Sequence, residues 1–172
     1  MDEVIGKGNL LGAKRKPVDV SHLRDKTVMI YFSASWCPPC RAFTPILIDF
    51  YKQHHVEKNF EVILCSWDQN SWQYNQYFSK QPWLALPFES PVGVALRRKY
   101  NVTSIPSLVV LDNNTKEVLC KDGRSAVEAD PTAMRFPWGS LPTNSLLLHY
   151  LPGLGLIPGF RAFIEGTSFP SW

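Results

Sequence analysis

Cysteine is scarce in this chain, with four in 172 residues, and only Cys37 and Cys40 stand close together. A zinc site draws on four ligands, usually as two close pairs. Cys65, Cys120 and the adjacent His54 and His55 form no second pair at ligand spacing, so no metal site is expected. Four cysteines are also too few for a disulfide scaffold. A charge excess is equally absent: the formal net charge is +3, and the basic runs Lys14–Lys16 and Arg97–Lys99 are short and free of interleaved aromatics. They read as solvated surface, and no nucleic-acid face is expected. Nothing after Met1, Asp2 and Glu3 resembles a basic segment followed by an apolar stretch and a cleavage site. The expected compartment is therefore the cytoplasm, with the nucleus as the alternative. No internal repeat or low-complexity segment occurs.

What is present is apolar and aromatic: 45% hydrophobic and 13% aromatic residues, enough to bury one substantial core and too little chain for two ordinary domains. The expected division is a domain over residues 1–140 and an apolar, Pro- and Gly-rich tail over residues 141–172. Between Phe136 and Phe160 there is no Asp, Glu, Lys or Arg. A membrane-spanning helix needs about 20 predominantly apolar residues. Pro152, Gly153, Gly155, Pro158 and Gly159 interrupt the stretch, so a tail that packs on the domain or seeks a partner is expected, not an anchor.

Thr27–Ser33, "TVMIYFS", is a short β-branched and aromatic run of the kind found in strands covered on both faces. It leads directly to the cysteines. Beyond them Phe43, Ile46, Leu47, Phe50 and Tyr51 repeat at helical spacing and predict an amphipathic helix running to about His55. Pro38 and Pro39 suit its first turn, where a missing N–H costs nothing; Pro45 lies deeper and is expected to kink it. A second buried strand is predicted at Phe60–Ser66, parallel to the first through a right-handed crossover. Ser71–Ser79 and Val92–Tyr100 read as helices, and "IPSLVVLDNNTKEVLC" as a β-hairpin turning at Asp112–Thr115. The result is an α/β fold with a mixed central β-sheet and helices on both faces.

Cys37 thus falls at a strand-to-helix junction. There the positive end of the helix dipole and unpaired backbone N–H groups favour a thiolate, lowering the thiol pKa below its free value of about 8.5. Cys40, one turn further in and less exposed, is placed to attack a mixed disulfide formed on Cys37 and to release the reduced product. A Cys-x-x-Cys beside a strand–helix–strand unit points to this redox chemistry over a metal half-site or a permanent staple. Cys65 and Cys120 each end an apolar strand and are read as core thiols. His54 and His55 are read as satisfying carbonyls at a helix end.

Together "YFSASWCPPCRAFTP", "NFEVILCSWD", "PWLALPF", "YNVTSIPSLVVLD" and "FPWG" resemble the tryparedoxin and nucleoredoxin branch of the thioredoxin superfamily, over about Val18 to Gly139. The resemblance implies a thioredoxin fold and a thiol–disulfide oxidoreductase with no bound cofactor. The redox-active Cys37–Cys40 pair would be supported by Trp36, Pro38, Pro39 and Arg41, with Pro106 in cis facing the cysteines. It places Trp67, Asp68, Ile105 and Arg124 around a substrate groove; without it, Trp67 reads as core, Asp68 as a helix N-cap, Ile105 as packing and Arg124 as solvated charge. The partners it implies are disulfide-bearing peroxidase-like or signalling proteins, with a low-molecular-weight dithiol or thioredoxin reductase as electron donor. A redox-gated binding module of nucleoredoxin type, with little turnover, is the alternative. One departure stands out: six residues before Cys37, where thioredoxins carry a buried aspartate, this chain has Tyr31.

Overall fold

The computed structural model describes residue 5 and residues 10–139. The predicted tail lies outside the described residues. Strand β1 (Leu10–Leu11) and β2 (Pro17–Val18) form a short ribbon before β3 (Thr27–Ser33), an interior strand of the sheet. Then follow α1 (Pro38–His54), β4 (Phe60–Ser66), α2 (Ser71–Phe78), β5 (Leu84–Ala85), α3 (Pro91–Lys99), β6 (Ser107–Asp112), β7 (Val118–Cys120) and α4 (Gly123–Ala129). The seven strands lie in the order β2-β1-β5-β4-β3-β6-β7. As expected, β4 runs parallel to β3, while β6 runs antiparallel to β3 and forms the hairpin with β7.

The period of two along β3 and β4 divides the core between the two faces of the sheet. Met29, Tyr31, Val62 and Leu64 pack with Phe43, Leu47, Phe50 and Tyr51 of α1 and with Tyr74, Tyr77 and Phe78 of α2. Val28, Ile30, Phe32, Ile63 and Cys65 pack on the other side with Leu96 of α3, Val20 and Leu23. Both faces are covered, so the strands read as nearly continuous apolar runs, interrupted in β4 by the buried Glu61, which accepts from the Tyr51 hydroxyl at 2.9 Å. Burying a Leu or Phe side chain in such a layer contributes about 1.5–3 kcal/mol. That packing fixes α1 on β3, and with it the position of the cysteines.

Several expectations change. Ile46 is exposed, off the buried stripe, which Cys40 and Thr44 join instead. Pro17 lies in β2 and Pro91 at the first position of α3. An edge strand tolerates proline because one side of its ladder is unpaired, and a first helical position tolerates it because that N–H would be free. The strands β1, β2 and β5 have two residues each, too few to show a period. Helix α4 opens on Gly123, where a Cβ would lie 2.7 Å from the Leu108 carbonyl oxygen; glycine lets this helix start directly on β6. Among the described residues two peptide bonds are cis, Ile105–Pro106 as expected and Phe136–Pro137, which was not.

Candidate functional site

Cys37 is the N-cap residue of α1, with an extended backbone that turns the chain from β3 into the helix. Pro38 and Pro39 occupy the first helical positions and have no N–H to offer. The Cys40 N–H is therefore the first donor inside the helix, and it donates to Cys37 Sγ at 3.3 Å. Cys37 and Cys40 are joined as a disulfide with their Cα atoms 5.2 Å apart. Cys37 is 4% exposed and Cys40 fully buried, so a large partner arriving from solvent meets Cys37 first. Both pack with Ala34, and Trp67 and Ile105 close over this cluster. The Ile105 carbonyl oxygen lies 3.8 Å from Cys37 Sγ.

The segment before the helix is pinned from several sides. Trp36, 45% exposed, donates its Nε1–H to the Trp67 carbonyl at 3.1 Å, and the Trp67 N–H donates to the Ser33 carbonyl at 2.8 Å. Asp68 accepts from the Ser35 N–H at 2.8 Å and from the hydroxyls of Ser35 and Ser66 at 2.7 Å each. Its carboxylate is thus a clamp between the Ser35–Trp36 loop and the end of β4. The N-cap reading of Asp68 fails, since Asn70 caps α2 through the Gln73 N–H. Arg41 reaches back with Nη1 to the Ser35 carbonyl at 3.3 Å. Pro106 is buried at the entry to β6.

Arg124 lies on α4. Its Nε is paired with Glu128 at 3.3 Å and its guanidinium lies 5.9 Å from the ring centre of Phe43, one turn along α1 from Cys40. Arg97, read from sequence as solvated charge, takes a place beside the site: its guanidinium lies 3.9 Å from the Trp67 ring centre. The repeat of basic residues at Arg97–Lys99 was visible, but only the packing of α3 shows which of them meets Trp67.

Behind Cys40 lies a chain of hydroxyls that sequence reading missed. Thr44 Oγ1 donates to the Cys40 carbonyl at 2.8 Å, and hydrogen bonds join it to Tyr31 (2.9 Å) and Tyr77 (2.6 Å). Tyr77 continues to Ser33 at 2.7 Å. Burial, reinforced by Tyr77, raises the Tyr31 pKa well above the ordinary phenol value. Tyr31 is therefore a neutral hydrogen-bonding group at physiological pH and no substitute base for the missing aspartate.

Cys65 and Cys120 are free thiols. Burial pushes the Cys65 pKa up to about 12, only partly offset by the charge of Arg97. Cys120 is half-buried on the edge strand β7, less enclosed than expected, and burial raises its pKa as well. His55 Nδ1 pairs with the Tyr51 carbonyl at 2.7 Å and His54 Nε2 with the Pro131 carbonyl at 2.9 Å, as helix-end histidines should. Among the described residues no group of three or more His, Cys, Asp or Glu is arranged to hold a metal, and no helix is long and apolar enough to cross a membrane.

A thioredoxin-like family model matches residues 25–117. Tryparedoxin of Trypanosoma brucei brucei is 48% identical over 134 residues, which cover 77% of this chain and 92% of that protein. Nucleoredoxin of Homo sapiens is 38% identical over 146 residues, 84% of this chain and 33% of its own length. Among solved structures, tryparedoxin II complexed with glutathionylspermidine superposes with a TM-score of 0.77 at 43% identity, covering 80% of this chain and 97% of that one. The chain belongs to the tryparedoxins of the thioredoxin-like family and is a thiol–disulfide oxidoreductase with its redox group in the Cys37–Cys40 pair.

Proposed function

We propose that Cys37 is the nucleophile and Cys40 the resolving thiol in the reduction of protein disulfides, with electrons drawn from a small peptide dithiol. The carrying observation is Cys37 at the start of α1, with the Cys40 N–H on its sulfur. The N–H and the helix dipole both favour thiolate at Cys37, while Cys40 is enclosed. In the forward half-reaction the Cys37 thiolate attacks one sulfur of the substrate disulfide. A Cys37–substrate bond forms, the substrate S–S bond breaks, and the first substrate sulfur leaves as a thiolate that takes up a proton. The Cys40 thiol, on giving up its proton, attacks Cys37 Sγ. The Cys37–Cys40 bond forms, the mixed disulfide breaks, and the second substrate sulfur leaves as thiol. Two electrons have passed to the substrate, and an external dithiol returns them by the same two exchanges in reverse.

Trp36 and Trp67 give the incoming disulfide an apolar floor beside Cys37. The Ile105 backbone, turned to the cysteines before Pro106, pairs with an extended substrate segment as an added strand would. Asp68 and Arg41 act as positioning residues through Ser35. The protein substrates are peroxidase-like or signalling proteins in the cytoplasm. The donor is a dithiol of trypanothione type, in keeping with the glutathionylspermidine complex of the related tryparedoxin II.

The test is insulin reduction with trypanothione, glutathione or thioredoxin reductase as the electron source. Steady turnover, fastest with trypanothione, supports the proposal. One stoichiometric oxidation of Cys37 and Cys40 without turnover would instead support a redox-gated binding module of nucleoredoxin type.

A further inference from the structure

A cleft of about 330 Å³ opens beside the cysteine site and shares Trp36 and Trp67 with it. Helix α3 forms one wall through Ser90, Gly93 and Arg97. Ser90, 9% exposed, is the N-cap residue of this nine-residue helix, yet its side chain caps no N–H. Its Oγ is the one buried side-chain oxygen or nitrogen among the described residues that has no hydrogen-bond partner. A hydroxyl buried without a partner is costly to the fold, and one that lines a cleft is a donor held for a ligand. The first turn of α3 carries no acid, so no side chain there offsets the positive end of its dipole. Arg97 lays its guanidinium 3.9 Å from the Trp67 ring centre and bonds through Nε to the Val102 carbonyl at 3.4 Å. The plane of its fork is thereby fixed and its terminal nitrogens are uncommitted; among the described residues it forms no ion pair.

An orphan hydroxyl, an open guanidinium and a helix N-terminus all favour one kind of ligand group, an anion with oxygens that accept. Because the cleft borders Trp36 and Trp67, that anion belongs to the molecule engaged at Cys37. We propose that the cleft is a specificity pocket for disulfide-bearing protein substrates and takes the carboxylate of an Asp or Glu side chain near the attacked cysteine. Arg97 pairs with that carboxylate in the two-pronged manner of an oriented guanidinium, and the Ser90 hydroxyl donates to it. A substrate segment extended along the Ile105 backbone turns alternate side chains to the same side, so the favoured acid falls at alternate positions on one flank of the cysteine. Glu89, the one acid on the cleft wall, is exposed and opposes such an anion, though solvent weakens its effect. The proposal rests on the disulfide-reductase reading and adds a choice among its protein substrates: those with no acid beside the cysteine gain nothing from α3.

The experiment uses the reduced full chain and short peptides whose single cysteine is in disulfide with 2-thiopyridine. Cys37 attacks the peptide sulfur, the mixed disulfide forms and pyridine-2-thione leaves, which absorbance follows; Cys40 then attacks Cys37 and releases the peptide thiol. Glutamate is placed at each flanking position in turn and compared with glutamine there. At a favoured position the second-order rate constant should be about tenfold higher for glutamate, as for one charge-assisted hydrogen bond. This ratio cancels any general change in the site. It should fall to about one in Arg97→Gln, fall severalfold in Ser90→Ala and rise in Glu89→Gln. Arg98→Gln removes the same charge from the next residue, which does not line the cleft, and should leave the ratio unchanged. Arg97, Arg98 and Glu89 are exposed, so their variants should fold, and Ser90→Ala should melt no lower than the natural chain because its hydroxyl has no partner to lose. Equal rates for glutamate and glutamine at every position, a ratio unchanged in Arg97→Gln, or an equal loss in Arg98→Gln overturns the proposal. The two readings fail separately: release of pyridine-2-thione from the glutamine peptides decides the thiol chemistry, while the ratio decides the cleft.

Discussion

At its first turn α1 carries Cys37 and Cys40 in a small cluster with Ala34, Trp67 and Ile105. At its far end Phe50 meets Phe60, Phe136 and Trp138 with ring centres 5.7, 6.4 and 5.6 Å apart. The far end is closed by Asp130, which accepts from the Met134 and Arg135 N–H groups and from Trp138 Nε1. One helix thus has a reactive end, held mainly by hydrogen bonds from short loops, and a structural end held by aromatic packing. The lesson is a division of labour: groups that change covalent state sit where few core contacts depend on them. Substitutions at the two ends should therefore separate activity from stability.

The largest effect is expected at the reactive end. Cys37→Ser should reduce insulin turnover to background while the melting temperature stays that of the reduced natural protein. Loss of melting temperature in step with activity would break the contrast between the ends. At the structural end, Phe50→Ala should cost about 3–5 kcal/mol, as for a large aromatic removed from a packed core. Urea unfolding measures this, and turnover per folded molecule should persist. Asp68→Ala removes the three hydrogen bonds that clamp Ser35 and Ser66, and kcat/KM for insulin should fall at least about tenfold, since a single hydrogen bond to a charged group is worth about 1.5 kcal/mol. Here a melting temperature that fell as far as in Phe50→Ala would mean that Asp68 belongs to the core instead of to the site.

The smallest effect concerns pH. Burial works to raise the Asp130 pKa, yet hydrogen bonds from Arg135, Trp138 and Met134, helped by the Arg135 charge, outweigh it and hold the pKa below the ordinary value. A carboxylate whose folded pKa is depressed contributes stability above its unfolded value, about 3.9 for Asp, and loses it as pH falls through the folded one. Tryptophan fluorescence should thus report loosening of the structural end only in acid below about pH 4, and Asp130→Ala should remove that acid-dependent step. A transition at neutral pH would contradict the assignment to Asp130.

The reactive end was more legible in sequence than the structural end. The apolar run into Cys37, the two prolines and the helical stripe through Phe43, Leu47 and Phe50 are local signals, and β3, α1, β4 and the hairpin follow from them. What stayed hidden depends on residues far apart in the chain. Asp68 meets Ser35, Thr44 meets Tyr77, and Arg97 meets Trp67 only after the sheet has formed. Helix α4 was hidden because seven residues starting at Gly123 carry almost no apolar period. The family motif "FPWG" marked the structural end without revealing that Phe136 and Trp138 pack on Phe50.

The assignment of attack to Cys37 and release to Cys40 is tested most directly by trapping. Cys40→Ser is to be mixed with a disulfide substrate and digested without reduction, and the adducts are to be mapped by mass spectrometry, with Cys37→Ser treated identically. A stable mixed disulfide on Cys37 in the first variant and none on Cys40 in the second is the expected result. Adducts on Cys40 in Cys37→Ser, with none on Cys37 in Cys40→Ser, would contradict the account.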